Sequence, residues 1–105
     1  MKLEKDRECS TIHSPTGGVM TREVGAVTGE LEICTRLIAG CIEVAVRYSG
    51  AEEWYTVEGS PIPLDSATGL LTPKRLHRRV AEQLTKPGPI VDGNEQPASL
   101  LRGFS

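Results

Sequence analysis

Aromatic side chains are scarce in this chain: one Trp, two Tyr and one Phe among 105 residues, or 4%. A core must therefore be built from aliphatic groups. Leu, Ile, Val and Phe together supply about a quarter of the residues, just above the level below which disorder is expected. Long hydrophobic runs are also missing, and no stretch approaches the roughly 18 apolar residues that a membrane span requires. The opening segment Met1-Lys2-Leu3-Glu4-Lys5-Asp6-Arg7-Glu8 is charged throughout, which excludes the apolar centre of a secretory signal. Cysteines number only three, Cys9, Cys34 and Cys41. An odd count with no paired framework favours a reducing, cytoplasmic setting. Neither sign of charge dominates, since the formal net charge is −2, so the total selects no partner class.

A chain of this length makes one domain at most. Residues 1–16 mix charges with Ser, Thr and Pro and show no sustained period, so they are expected to be flexible. Residues 17–86 carry the patterned part, a single α+β domain. Residues 87–105 are rich in Pro, Gly, Asn and Gln and read as a flexible or docking tail, ending in Leu100-Leu101-Arg102-Gly103-Phe104. A folded part of roughly 70 residues is marginal by itself, which makes a homodimer a reasonable expectation.

What is present is period-two alternation. Leu31, Ile33, Thr35 and Leu37 alternate with Glu30, Glu32, Cys34 and Arg36; after Ala39-Gly40 the pattern resumes as Ile42, Val44, Val46 and Tyr48 against Glu43, Ala45 and Arg47. This predicts a hairpin with one buried face. With Ala39-Gly40 as the turn, Leu37 faces Ile42, Ile33 faces Val46, Arg36 meets Glu43 and Glu32 meets Arg47. A slip of two residues would lose both charge pairs, each worth about 0.2–1 kcal/mol. Ala-Gly is not the preferred dipeptide for such a turn. Trp54 to Glu58 predicts a third strand, with Tyr55 opposite Tyr48 and Val57 opposite Val46 across a loop at Gly50–Glu53. Val19–Val24 is an earlier candidate strand, and Pro61 and Pro63 exclude a central strand around Ile62.

One helix is well bounded. Thr72 is a capping residue, Pro73 suits the first helical position, and Lys86-Pro87-Gly88-Pro89 stops it. Leu76, Val80 and Leu84 fall at i, i+4 and i+8 and form a narrow apolar stripe suited to lying across a sheet. Leu70 and Leu71 should anchor the chain ahead of it. The expected fold is α+β: an antiparallel meander of three to four strands whose buried face (Leu31, Ile33, Leu37, Ile42, Val44, Val46, Tyr48, Tyr55, Val57) is covered by this helix, with flexible termini.

Catalytic and metal chemistry finds little support. Cys34 and Cys41 lack zinc-ligand spacing and a nearby histidine, and their expected positions are too far apart for a bridge. His77 sits at the edge of the helix stripe next to four basic residues that disfavour its protonation, and neither it nor His13 is expected to carry chemistry. Glu52-Glu53 and Glu30 with Glu32 read as ordinary surface carboxylates. Asp65 to Gly69 reads as a turn. No enzyme activity, cofactor or metal is expected.

Two surfaces remain. The outer sheet face gathers Arg36, Arg47, Trp54 and Thr56 with Glu32, Glu43 and Glu58; Trp and Arg are favoured interface anchors, and Trp54 beside Arg47 permits a cation–π contact or a stacking platform. The glutamates oppose phosphate, which favours a protein partner. The helix flanks carry Lys74, Arg75, Arg78, Arg79 and Lys86, a possible phosphate contact. The expectation is a small cytoplasmic, non-enzymatic protein-interaction or self-associating module, with nucleic-acid binding through the basic helix 73–86 as the alternative and no membrane partner.

Overall fold

The computed structural model describes residues 7–64 and 72–101. Asp65 to Leu71, including the expected turn and the Leu70-Leu71 anchor, lie outside the described residues. In chain order the elements are β1 (Arg7–His13), β2 (Val19–Thr21), β3 (Gly25–Val27), β4 (Glu30–Ile38), β5 (Cys41–Tyr48), β6 (Tyr55–Thr56), β7 (Ile62–Pro63), α1 (Pro73–Thr85), β8 (Ile90–Val91) and β9 (Asn94–Glu95). The main sheet has five antiparallel strands in the order β1-β4-β5-β6, with β7 also paired to β5. The expected α+β fold, with one helix packed on the sheet, is what the chain adopts.

The β4–β5 hairpin has the register that its charges dictate: Arg36 opposes Glu43, Glu32 opposes Arg47, and Leu37 opposes Ile42. Arg47 and Glu32 close to 2.7 Å, and Arg36 and Glu43 to 3.2 Å. The turn is the two residues Ala39 and Gly40, with φ of 49° and 80°. Left-handed backbone at both positions matches the strand twist but is costly for alanine.

Leu31, Ile33, Ile42, Val44, Val46 and Val57 are buried on the inner face together with Leu76, Val80 and Leu84 from α1. Leu37 and Tyr55 are only partly covered, and Tyr48, at the far end of β5, is exposed. Thr72 caps α1 by accepting from the Arg75 N–H at 3.2 Å. The helix rests on β1 and β4.

The third strand differs from expectation. Val46 pairs with Tyr55 and Ala45 with Thr56, a register shifted by two residues from the one that pairs Tyr48 with Tyr55. That register leads toward the like-charge opposition of Glu43 and Glu58. The chain leaves the ladder before it is reached: Val57 N–H still donates to Val44 C=O, then Gly59 takes a φ of 99° and a cis Ser60–Pro61 bond follows. The Ser60 hydroxyl accepts from the Val44 N–H at 2.9 Å and so replaces the missing ladder partner. β7 then rejoins the edge of β5 at Ile42 and Cys41.

The segments on either side of the patterned region also take structure. Arg7–His13, within the stretch expected to be flexible, is an edge strand, because Ser10 and Ile12 turn inward beside Ile33 and Leu31 while Arg7, Cys9, Thr11 and His13 turn outward. Val19–Thr21 forms a small hairpin with β3 in place of one strand through Val24. At the other end, Ala98 and Leu100 are buried. Ala98 N–H donates to Gly18 C=O, and Leu100 N–H donates to Glu58 C=O. Gly59 permits that approach, since a Cβ there would stand 2.7 Å from the Leu100 carbonyl carbon.

Candidate functional site

Side chains on the outer face of a strand are two residues apart, so β4 sends Cys34 and Arg36 to the same side and β5 sends Glu43, Ala45 and Arg47. Trp54 precedes β6 and folds over this face. Its ring lies 4.5 Å from the Arg47 guanidinium carbon and 5.7 Å from that of Arg7. Contacts of this kind are worth about 0.5–1 kcal/mol at partly exposed sites, and they leave less of the ring for stacking on a base.

The face is not flat. Arg22, in the turn between β2 and β3, reaches across to donate to the Ser60 carbonyl, and its own N–H donates to Thr56 C=O at 3.0 Å. The next residue, Glu23, accepts from the Thr56 N–H at 2.8 Å. Hydrogen bonds from the backbone and side chain of Thr56 hold the Glu23 carboxyl below the ordinary value. Together these walls enclose a cleft of about 520 Å³ whose lining includes Arg7, Arg22, Cys34, Arg36, Glu43, Trp54, Thr56 and Pro61. Among the described residues, Arg7, Arg22 and Arg36 line it with the carboxylate of Glu43, which pairs with Arg36 at 3.2 Å.

Of the residues expected on this surface, Arg36, Trp54 and Thr56 line the cleft. Arg47 instead supports Trp54, holding Glu32 with its Nε and Nη2 groups and donating from Nη1 to the Ala51 carbonyl. Lys74, Arg75, Arg78 and Arg79 on α1 and Lys86 at its C-cap are exposed; α1 covers the inner face, so the two candidate surfaces lie on opposite sides of the sheet.

No family model, curated protein or solved structure matches this chain.

Cys9 and Cys34 face each other directly across β1 and β4 and are joined in a disulfide, while Cys41 is a free thiol. This corrects the expectation of three unpaired cysteines. Arg7 donates toward Cys34 Sγ at 3.7 Å. The Glu32 carboxylate lies within 4.8 Å of both sulfurs, but bridged sulfurs offer no thiolate to a metal, and Arg7 and Arg47 add two positive charges beside them. Arg7 and the bridge were hidden in the sequence because β1 looks like a solvated charged segment. The outward alternation of Arg7, Cys9, Thr11 and His13 was the available signal.

On the inner side of the sheet, His77 of α1 is buried with Ser10 Oγ 2.7 Å from Nε2 and Thr35 Oγ1 2.9 Å from Nδ1. Burial pushes its pKa down, and Glu8 opposes that in part. A neutral imidazole flanked by two hydroxyls resembles a serine nucleophile with its base. Among the described residues, however, the cleft includes neither Ser10 nor His77, and the arrangement satisfies a core histidine.

Proposed function

We propose that the protein is a non-enzymatic interaction module whose outer-face cleft takes an acidic segment of a protein partner. The observation that carries this is the convergence of Arg7, Arg22 and Arg36 from three separate parts of the chain on one cleft walled by Trp54. Guanidinium groups bind carboxylates through paired, charge-assisted hydrogen bonds. Tryptophan and arginine are also the residues that most often carry interface energy. The cleft favours peptide carboxylates over nucleic acid because Arg7 and Arg47 already occupy approaches to the one indole, which leaves little of the ring for stacking on a base.

Trp54 is the sole tryptophan and reports on the cleft directly. Its fluorescence would be followed while a short Glu/Asp-rich peptide with one aromatic residue is added at low and moderate salt, with a single-stranded oligonucleotide in a parallel titration. Saturable change with the peptide, weakened by salt, is the expected result. Saturation with the oligonucleotide and none with the peptide would replace this proposal with nucleic-acid binding. A rise in mass by light scattering without any ligand would point to self-association instead. A cytoplasmic home, expected from the cysteine count, fits the bridged protein only if the disulfide is transient, as cytosolic disulfides usually are.

A further inference from the structure

We propose that the Cys9–Cys34 bridge is a thiol-exchange site, attacked at Cys9 by a low-molecular-weight thiol of the glutathione class, and that its state sets the position of Arg7 in the cleft. The two sulfurs are unequal. Cys9 is exposed on the edge strand β1, whereas Cys34 is 5% exposed on β4. Attack is therefore directed to Cys9 Sγ, and Cys34 Sγ is the leaving group. The leaving sulfur has Arg7 at 3.7 Å. The nearby Glu32 carboxylate, which would oppose a thiolate, is held by Arg47 at 2.7 Å. A cation beside a thiol favours its thiolate, and a better-stabilised thiolate leaves faster.

The chemistry balances with two small thiols. The first, as thiolate, forms a bond to Cys9 Sγ; the Cys9–Cys34 bond breaks and its electron pair departs on Cys34 Sγ. The second attacks the small-molecule sulfur of the mixed disulfide and releases Cys9. Both protein sulfurs are then reduced and take protons from solvent according to pH. The two small thiols leave as one small-molecule disulfide.

Arg7 couples this exchange to the cleft, because it lines the cleft and contacts Cys34 at once. In the bridged protein it lies against a neutral sulfur and the Trp54 ring, neither of which carries a charge that would neutralise it toward a ligand. After reduction a Cys34 thiolate competes for the guanidinium, and β1 loses its covalent tie to β4. Affinity for an acidic peptide should fall. That consequence rests on the cleft reading; the exchange itself does not.

The test uses the full chain with Cys41→Ser, so that the free thiol does not contribute. Reduced glutathione is added, samples are quenched with acid and alkylated, and peptide mass mapping locates each modification. The expected result is a glutathionyl group on Cys9 with alkylated Cys34, followed by two alkylated cysteines. Arg7→Gln should slow loss of the bridge by about fivefold, and Arg7→Lys should restore most of the rate. A bridge that persists for hours in glutathione at cytosolic strength would overturn the proposal, as would an adduct on Cys34. A rate in Arg7→Gln equal to or above the parent would remove Arg7 from it. Acidic-peptide affinity, measured on the same samples before and after reduction, reports separately on the cleft. Exchange at Cys9 without a change in affinity would keep the site and overturn the coupling.

Discussion

Two hydroxyls, on Ser10 and Thr35, hold the imidazole of His77 between β1, β4 and α1. Because burial lowers its pKa, the unfolded chain takes up a proton at a higher pH than the folded one. Stability is therefore fully present above an unfolded value of about 6.5 and is lost as pH falls from there through the folded pKa. Urea unfolding between pH 7.5 and 5 should show this loss, and His77→Gln, whatever its own cost, should flatten the slope. An unchanged slope would place the pH dependence elsewhere. Ala39 gives a second prediction at this scale. With φ at 49° it occupies a backbone region that costs an L-residue about 1–2 kcal/mol, and asparagine tolerates that region better. Ala39→Asn should raise stability by about 0.5–1 kcal/mol at an unchanged denaturant slope. The role of His77 was only half legible beforehand: its place at the edge of the helix stripe was clear, but Ser10 belonged to a strand that composition disguised.

Elements were legible where two independent signals agreed. For β4 and β5, alternation chose the face and the Arg36–Glu43 and Glu32–Arg47 pairs chose the register; for α1, the cap, the proline and the stripe coincide. β6 pairs two residues away from the register expected for it, and the chain escapes Glu43 opposite Glu58 by turning out of the ladder at Gly59. That detour makes Ser60 essential. Ser60→Ala would leave the buried Val44 N–H without its acceptor and should cost about 1–3 kcal/mol; a loss near zero would mean that the ladder closes without it. β1 was missed because a polar edge strand, with one charged side to solvent, resembles a tail. Its covalent tie has a measurable value. The cysteines are 25 residues apart, and removing a bridge over such a loop costs about 2–4 kcal/mol. Cys9→Ser with Cys34→Ser should lower the unfolding midpoint accordingly, and reducing the parent protein should reproduce the shift.

At the scale of the whole molecule, the sheet separates two basic regions by its own thickness. α1 and its C-cap present Lys74, Arg75, Arg78, Arg79 and Lys86 to solvent from the inner side, while the cleft gathers Arg7, Arg22 and Arg36 on the outer side. The sequence showed the first cluster because it is contiguous. It hid the second because its members lie on β1, in the β2–β3 turn and on β4, and only folding brings them together. The two make opposite predictions. If the cleft binds an acidic segment, Arg22→Gln with Arg36→Gln should weaken the peptide by about tenfold or more, corresponding to about 1.4 kcal/mol, and should reduce its salt dependence. Charge reversal at Arg75 and Arg79 should leave the same peptide nearly unaffected, since exposed charges beyond a Debye length of about 10 Å are largely screened at moderate salt. The reverse pattern, with binding lost on reversing the helix charges and kept in the cleft variant, would move the functional surface to α1. Peptide binding that responds equally to both pairs would show that only the protein's overall field is being read.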